Sequence, residues 1–138
     1  MERRILNPPG LAPPRGFSHA ISTRGGRLVF LAGQDASDAG GCLVGAGDLL
    51  AQFDQVLANL RTVMAAAGGT LPDIVKLNIF VRNREHYRAH SEALGRLFRA
   101  AFGGYYPAIA LFEVSGFFHP EALIEMEGIA VVADEEPP

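Results

Sequence analysis

Residues 73–81 constrain the fold of this chain most, because they form a predicted strand that carries apolar residues on both faces. The two alternating sets are Val75, Leu77, Ile79 and Val81 on one side, and Ile74, Lys76, Asn78 and Phe80 on the other. A strand of this kind needs cover on both sides, and helices can supply it on only one. The pattern therefore predicts association through the uncovered face, most simply in a closed ring.

One helix is predicted before this strand in the sequence and one after it. The first begins after Asp48, a good N-cap residue, carries apolar residues at helical spacing and ends at the glycine pair 68–69. The second begins after Asn83 and ends at the glycine pair 103–104. Their apolar stripes predict packing against a sheet.

The remaining apolar runs predict strands. Residues 17–21 and 27–32 are expected to form a β-hairpin, residues 42–44 a short edge strand, and residues 108–114 and 123–132 two final strands. The element order is then β-β-(β)-α-β-α-β-β. This order predicts an α+β fold with two helices on one face of a mixed sheet.

The chain of 138 residues is long enough for one domain, which we assign to 1–138. Residues 1–15 contain four prolines and are expected to form an extended N-terminal arm rather than a helix. Residues 133–138 are acidic, end in two prolines and are expected to fray.

Composition argues against several classes of function. The net charge of −3 and the lack of a basic cluster give no indication of nucleic acid binding. No segment has the apolar length of a signal peptide or membrane span, and the single cysteine, Cys42, fits a reducing compartment, so we expect a cytoplasmic protein. No nucleotide-binding glycine motif and no histidine pair with a third ligand is present, so no cofactor and no metal are expected.

Five short motifs, in their order and spacing, resemble the Rid/YjgF family of enamine and imine deaminases. They are GFSHA at 16–20, LVFLAGQ at 28–34, DIVKLNIFV at 73–81, PAIALFEV at 107–114 and ALIEMEGIA at 122–130. The resemblance covers roughly residues 14–132. It implies a chorismate-mutase-like fold, a homotrimer, and small-molecule substrates bound in clefts between subunits.

The resemblance also implies which residues form each cleft. One subunit would contribute Phe17, Ala32, Gly33, Tyr87 and Ser91. Its neighbour would contribute Ile109, Leu111 and Glu125, and His119 would lie on a loop at the mouth of the cleft.

Glu125 is the candidate catalytic residue. It matches the first glutamate of the I-E-x-E motif, and in the family this glutamate helps to position the water that attacks the imine carbon. A carboxyl group in a dry cleft has a raised pKa, which suits proton transfer near neutral pH. A salt bridge at the rim or between subunits is the structural alternative for Glu125.

Ile109 stands where deaminating members of the family usually carry an arginine that binds the substrate carboxylate. Either the substrate lacks that carboxylate, or another cation replaces the arginine, or catalysis is lost. Arg82, Arg84 and Arg88 are the candidates for a replacement cation.

Phe17 and Leu111 also replace residues that are more polar or smaller in the family. With Ile109 they make the cleft more apolar and predict a less polar ligand. The alternative is that side chains fill the cleft.

Three functions follow from these observations. The first is a Rid-like hydrolase or deaminase that acts on a small enamine, imine or related carbonyl compound with atypical specificity. The second is a trimer that binds a small molecule without converting it. The third is a ribonuclease or translation inhibitor, against which the acidic charge balance argues.

Overall fold

The structure is a computed structural model that describes residues 1–135; residues 136–138 of the tail expected to fray lie outside them. In chain order the elements are β1 Glu2–Leu6, β2 Ala20–Arg24, β3 Arg27–Gln34, α1 Leu49–Ala66, a 3-10 turn at Leu71–Asp73, β4 Ile74–Val81, α2 Arg84–Ala89, α3 Ser91–Phe102, β5 Ala108–Glu113 and β6 Ile124–Val132.

The main sheet has four strands in the order β3-β6-β4-β5. Strands β4 and β5 run parallel, joined by the helical crossover, and the other two pairs are antiparallel. The sheet is therefore mixed, and the predicted α+β class is confirmed.

The predicted hairpin of residues 17–21 and 27–32 is wrong. Strand β2 pairs instead with β1, through Leu6 and Ala20 among others, in a separate two-stranded sheet, while β3 pairs with β6. The buried Leu31 of β3 belongs to the core, whereas β2 is largely exposed. The extended arm thus contains a strand, and residues 42–44 form only one isolated bridge, from Leu43 to Ser37.

Helix α1 begins and ends as the sequence predicts. The Asp48 carboxylate accepts a hydrogen bond from the Ala51 amide at 3.0 Å, which caps the helix, and Gly68 has a φ of +80° just after its end. Its buried face includes Phe53 and Leu60 and packs on β3 and β6.

The second predicted helix is two helices, α2 and α3, separated at His90. Asn83 caps α2 by accepting a hydrogen bond from the His86 amide at 2.9 Å, and α3 ends at Gly103, whose φ is +67°. Helix α3 packs beside α1. The two long helices, α1 and α3, therefore cover the same side of the sheet. The short helix α2 precedes α3 in the chain.

The other sheet face is open and partly apolar. Leu28 and Phe30 on β3 are 65% and 73% exposed, and Phe112 on β5 is 47% exposed. Phe112 stacks on Phe80 of β4, with 5.7 Å between the ring centroids. The uncovered apolar face predicted from residues 73–81 is present in the single chain.

Gln52 of α1 is a fully buried polar side chain that ties the helix to the chain leading into β6. Its amide nitrogen donates to the Gly45 and Glu121 carbonyls at 3.1 Å, and its oxygen accepts from the Leu123 amide at 2.8 Å. These bonds satisfy a buried amide and fix where β6 begins.

We expect Gly128→Ala to destabilise the fold by about 2–3 kcal/mol, because its methyl group would overlap a main-chain atom rather than a movable side chain. A Cβ at Gly128 would lie 2.5 Å from the Lys76 carbonyl oxygen. Urea unfolding measures the loss. Gly116→Ala is the control, since nothing lies within 4 Å of a Cβ there, and equal stability of the two variants would contradict this account.

Candidate functional site

A cavity of about 500 Å³ lies between the helices and the edge strand β5. Ligand sites in proteins have volumes of about 300–1,000 Å³, so its size suits a small molecule. Its lining residues are Arg15, Gly16, Phe17, Ile79, Tyr87, Ser91, Leu94, Gly95, Phe98, Arg99, Tyr106, Ile109 and Leu111.

Ser18 holds one wall of the cavity in place. Its hydroxyl donates to the Tyr106 carbonyl at 2.6 Å, and its amide donates to the Pro107 carbonyl at 3.0 Å. These bonds fasten the segment 15–17 beside the start of β5. Gly16, with a φ of +76°, turns the chain there, and Phe17 then lines the cavity.

The floor of the cavity is apolar. Ile109 and Leu111 of β5 lie opposite Leu77 and Ile79 of β4, so their side chains are on the sheet face that the helices cover. The ring of Phe98 stacks on the ring of Tyr106, which also lines the cavity, with 5.6 Å between the ring centroids. The cavity of the single chain is open space, and the alternative that side chains fill the cleft between subunits stays a prediction.

Tyr87 and Ser91 bring hydroxyl groups to the cavity. Burial raises the pKa of Tyr87 to about 12, so its phenol stays neutral at ordinary pH. A neutral phenol can donate or accept one hydrogen bond, and a serine hydroxyl can do the same. The two residues can orient a polar group of a ligand without carrying charge.

Arg15 and Arg99 are the charged residues of the cavity lining. Neither guanidinium makes an ion pair with any residue in 1–135. On α3, the Arg99 side chain lies over Gly95, where an added Cβ would be 3.2 Å from its Nη1 atom. Both groups are therefore available to an anionic ligand.

The three arginines suggested by the sequence as replacement cations do not line the cavity. Arg82 donates to the Pro120 carbonyl at 2.9 Å, while Arg84 and Arg88 lie 3.5 Å and 3.8 Å from the carboxylate of Glu85. The cations beside the cavity are instead Arg15 and Arg99.

Glu125 lies on the opposite face of the sheet from the cavity. It pairs with Phe80 of β4, which in turn pairs with Phe112, and all three face the open side. The backbone of Gly33 packs against its carboxylate so closely that a Cβ there would overlap Oε1. Glycine at position 33 therefore leaves the space that the Glu125 carboxylate occupies.

The pKa of Glu125 is raised above its ordinary value. Burial is the largest cause, and the negative charges of Asp35 and Glu127 add to it. A carboxyl group with a raised pKa exchanges protons closer to neutral pH, which suits a catalytic glutamate.

One chain thus brings together part of the predicted site. Phe17, Tyr87, Ser91, Ile109 and Leu111 share the cavity. Ala32, Gly33, His119 and Glu125 do not line it. The resemblance implied that Ile109 and Leu111 face Phe17 from a neighbouring subunit, whereas here all three belong to one chain.

His119 has a local structural contact. Its Nδ1 accepts a hydrogen bond from the Glu121 amide at 3.2 Å in the loop before β6. The neighbouring Phe118 is fully exposed. A role for His119 at the mouth of a cleft stays a prediction.

Sequence reasoning missed Arg15 and Arg99. A signal for Arg99 exists: Ser91, Gly95 and Arg99 recur every fourth residue, which places them on one side of α3. Arg15 has no such signal, because only the hydrogen bonds of Ser18 bring its segment to β5.

Within residues 1–135, no cluster of three or more histidine, cysteine, aspartate or glutamate side chains could hold a metal ion. Over the same residues, none of the helices combines the length and apolar character that crossing a membrane requires.

The family model described as Endoribonuclease L-PSP matches residues 9–132. The chain belongs to this family, the Rid/YjgF family. A solved structure of the Rid family protein YyfB from Yersinia pestis, described as of unknown function, superposes with a TM-score of 0.86 at 43% identity, covering 96% of this chain and 100% of that one.

Two relatives of this Rid/YjgF chain carry deaminase names. The 3-aminoacrylate deaminase RutC of Acinetobacter baylyi is 30% identical over 96% of this chain and 100% of its own length. The 2-iminobutanoate/2-iminopropanoate deaminase of Dermatophagoides farinae is 28% identical over 94% of this chain and 97% of its own length. The family is thus shown over nearly the whole chain.

The raised pKa of Glu125 predicts a specific pH dependence of stability. The folded state holds this proton more tightly than the unfolded chain, so ionising Glu125 costs stability as pH rises from about 4.5 through the raised pKa. Glu125→Gln removes that cost. Relative to the wild type, the variant should therefore gain stability across that window and show no gain below it.

Urea unfolding at a series of pH values between 4 and 8 measures this difference. Glu121→Gln, in an exposed loop, controls for the loss of one negative charge. A stability difference between Glu125→Gln and the wild type that shrinks as pH rises would contradict the assignment.

Proposed function

We propose that this chain is a hydrolase of the Rid type that converts a small imine or enamine to a carbonyl compound and ammonia in clefts between copies of itself. The observation that carries the proposal is the half-buried carboxyl group of Glu125, whose pKa is raised on an open, apolar sheet face. The deaminase names of two relatives that match over nearly their whole length support the reaction class.

Assembly follows from the open face. Leu28, Phe30 and Phe112 form an exposed apolar surface on the side of the sheet that carries Glu125. Burying this surface against another copy is favourable, at about 25 cal/mol for each Å² removed from water. A homotrimer, as the resemblance implies, would bring the Glu125 of one copy to the β5 edge and cavity of the next.

The proposed chemistry needs one carboxyl group and one water. The Glu125 carboxylate accepts a proton from water as the water oxygen forms a bond to the imine carbon. The protonated carboxyl then returns that proton to the nitrogen, which has taken the electron pair of the opened C=N bond, and a carbinolamine forms. Glu125 next accepts the hydroxyl proton of the carbinolamine and donates it to the amino nitrogen. The carbon–nitrogen bond then breaks, ammonia leaves with the electrons of that bond, and the carbonyl forms. A raised pKa suits both steps, because the group must first accept the proton and then donate it.

Ile109 sets the specificity of the proposed reaction. A branched alkyl side chain offers nothing to a substrate carboxylate, and loss of a buried charged partner costs about 2–5 kcal/mol. A three-carbon imino acid such as 2-iminopropanoate is therefore a poor substrate, and a less polar one suits the apolar lining better.

Ammonia release from freshly generated 2-iminopropanoate and from a less polar imine tests the proposal. We expect the less polar imine to be the better substrate for the wild type, and Glu125→Gln to lower kcat by about a hundredfold or more. Ile109→Arg should raise kcat/KM for 2-iminopropanoate by at least about tenfold, because it supplies the missing partner at the cavity.

Glu121→Gln is the matched control, since its carboxylate is exposed and outside the cavity. Imine hydrolysis that survives Glu125→Gln unchanged would disprove the role of Glu125. Sedimentation of the purified chain as a stable monomer with full activity would disprove the inter-subunit cleft.

The second candidate is a trimer that binds a small molecule without converting it. The observation that favours it is the composition of the cavity, which one chain completes without a carboxyl group. Thermal stabilisation by an imine or ketone with no product formed would support this candidate over the enzyme.

A further inference from the structure

Two arginines stand beside an otherwise uncharged cavity. Arg15 and Arg99 line it together with apolar and hydroxyl-bearing residues, and no acidic residue lines it. Within residues 1–135 neither side chain forms an ion pair or a hydrogen bond to the protein, whereas Arg96 of the same helix pairs with Glu92 at 3.1 Å. The residues that line the cavity therefore carry a net positive charge.

Guanidinium groups bind carboxylates through two parallel hydrogen bonds, and an apolar wall beside them strengthens such a contact by excluding water. The apolar part of this lining includes Phe17, Ile109 and Leu111. A ligand that matches the whole lining has an apolar body and one anionic end.

We propose that the cavity binds a carboxylate with an apolar body, held at its anionic end by Arg99 together with Arg15 and along its body by Phe17, Ile109 and Leu111. This inference rests on the proposed function for the identity of the site and names its substrate class. The substrate is an imine or enamine whose carboxylate is separated from the reacting carbon by an apolar spacer.

Gly95 explains how Arg99 reaches this position. It lies one helical turn before Arg99, and a Cβ there would lie 3.2 Å from the Arg99 Nη1 atom. The missing side chain leaves room for the guanidinium against the helix. Gly95→Ala would shift the Arg99 guanidinium slightly and also add a methyl group to the cavity lining, so substitutions of Arg99 itself test the carboxylate contact more directly.

The test compares two probes of nearly equal shape, 3-phenylpropanoate and its uncharged amide, 3-phenylpropanamide. Titration of the full-length protein in its native assembly, followed by calorimetry or NMR, gives both affinities. We expect the carboxylate to bind about tenfold more tightly, the effect of about 1.4 kcal/mol for a partly exposed charged contact.

Arg99→Gln should reduce carboxylate affinity to that of the amide and leave amide affinity unchanged. Arg99→Lys keeps the charge without the planar fork and should give an intermediate affinity. Arg15→Gln should weaken carboxylate binding less than tenfold. Arg96→Gln, on the same helix but outside the cavity, is the matched control and should bind both probes like the wild type.

Equal affinity for the two probes, no binding of either, or carboxylate binding that survives Arg99→Gln would overturn the inference. Its failure is distinct from that of the proposed function. Imine hydrolysis that depends on Glu125 but not on Arg99 would support the proposed enzyme and disprove the carboxylate site. Carboxylate binding that depends on Arg99, without ammonia release, would support the carboxylate site and disprove the enzyme.

Discussion

The alternation of side chains along β6 divides this molecule into two functional halves. Met126 and Gly128 are buried on the side that the helices cover, while Glu125 and Glu127 lie on the other side. Because α1 and α3 cover only one face, the cavity and the carboxyl group cannot meet within one chain. A reaction that uses both requires the open face of one copy beside the β5 edge of another, so assembly is part of the proposed site.

The two halves also differ in charge. Burial, and then the negative charges of Asp35 and Glu127, raise the pKa of Glu125 on the open face, while Arg15 and Arg99 border the cavity. The same separation keeps the arginines away from Glu125 within the chain, where their charge would lower its pKa.

Local signals in the sequence predicted most of the fold, and non-local pairing accounts for the errors. The caps of α1 and the alternation in β4 depend on neighbours in sequence, and both agree with the structure. The partner of β3 is β6, almost a hundred residues away, and no local pattern distinguishes it from β2. The break at His90 was missed because the apolar stripe continues across it.

The sequence predicted the site residues that lie within recognisable motifs. It did not predict the residues that only tertiary contacts bring to the site. Glu125 and Ile109 follow from the strand motifs, and the structure shows the glycine and acidic neighbours that shape the glutamate's environment. Arg15 reaches the cavity only because Ser18 fastens its segment to β5. A residue placed by such long-range bonds leaves no periodic signal in the sequence.

In the proposed site, the position of the cation in the cavity lining would determine which substrates bind. In a three-carbon imino acid the carboxylate is bonded to the reacting carbon, so its cation must lie beside the site of water attack, and position 109 on β5 would supply it. In this chain that position is apolar, and Arg99 lies on the helix that faces the strand across the cavity. A carboxylate held by Arg99 is then separated from β5 by the width of the cavity. Only a ligand with an apolar segment of that length would contact both walls, so under the proposed function isoleucine at position 109 would change the required length of the substrate rather than abolish the site.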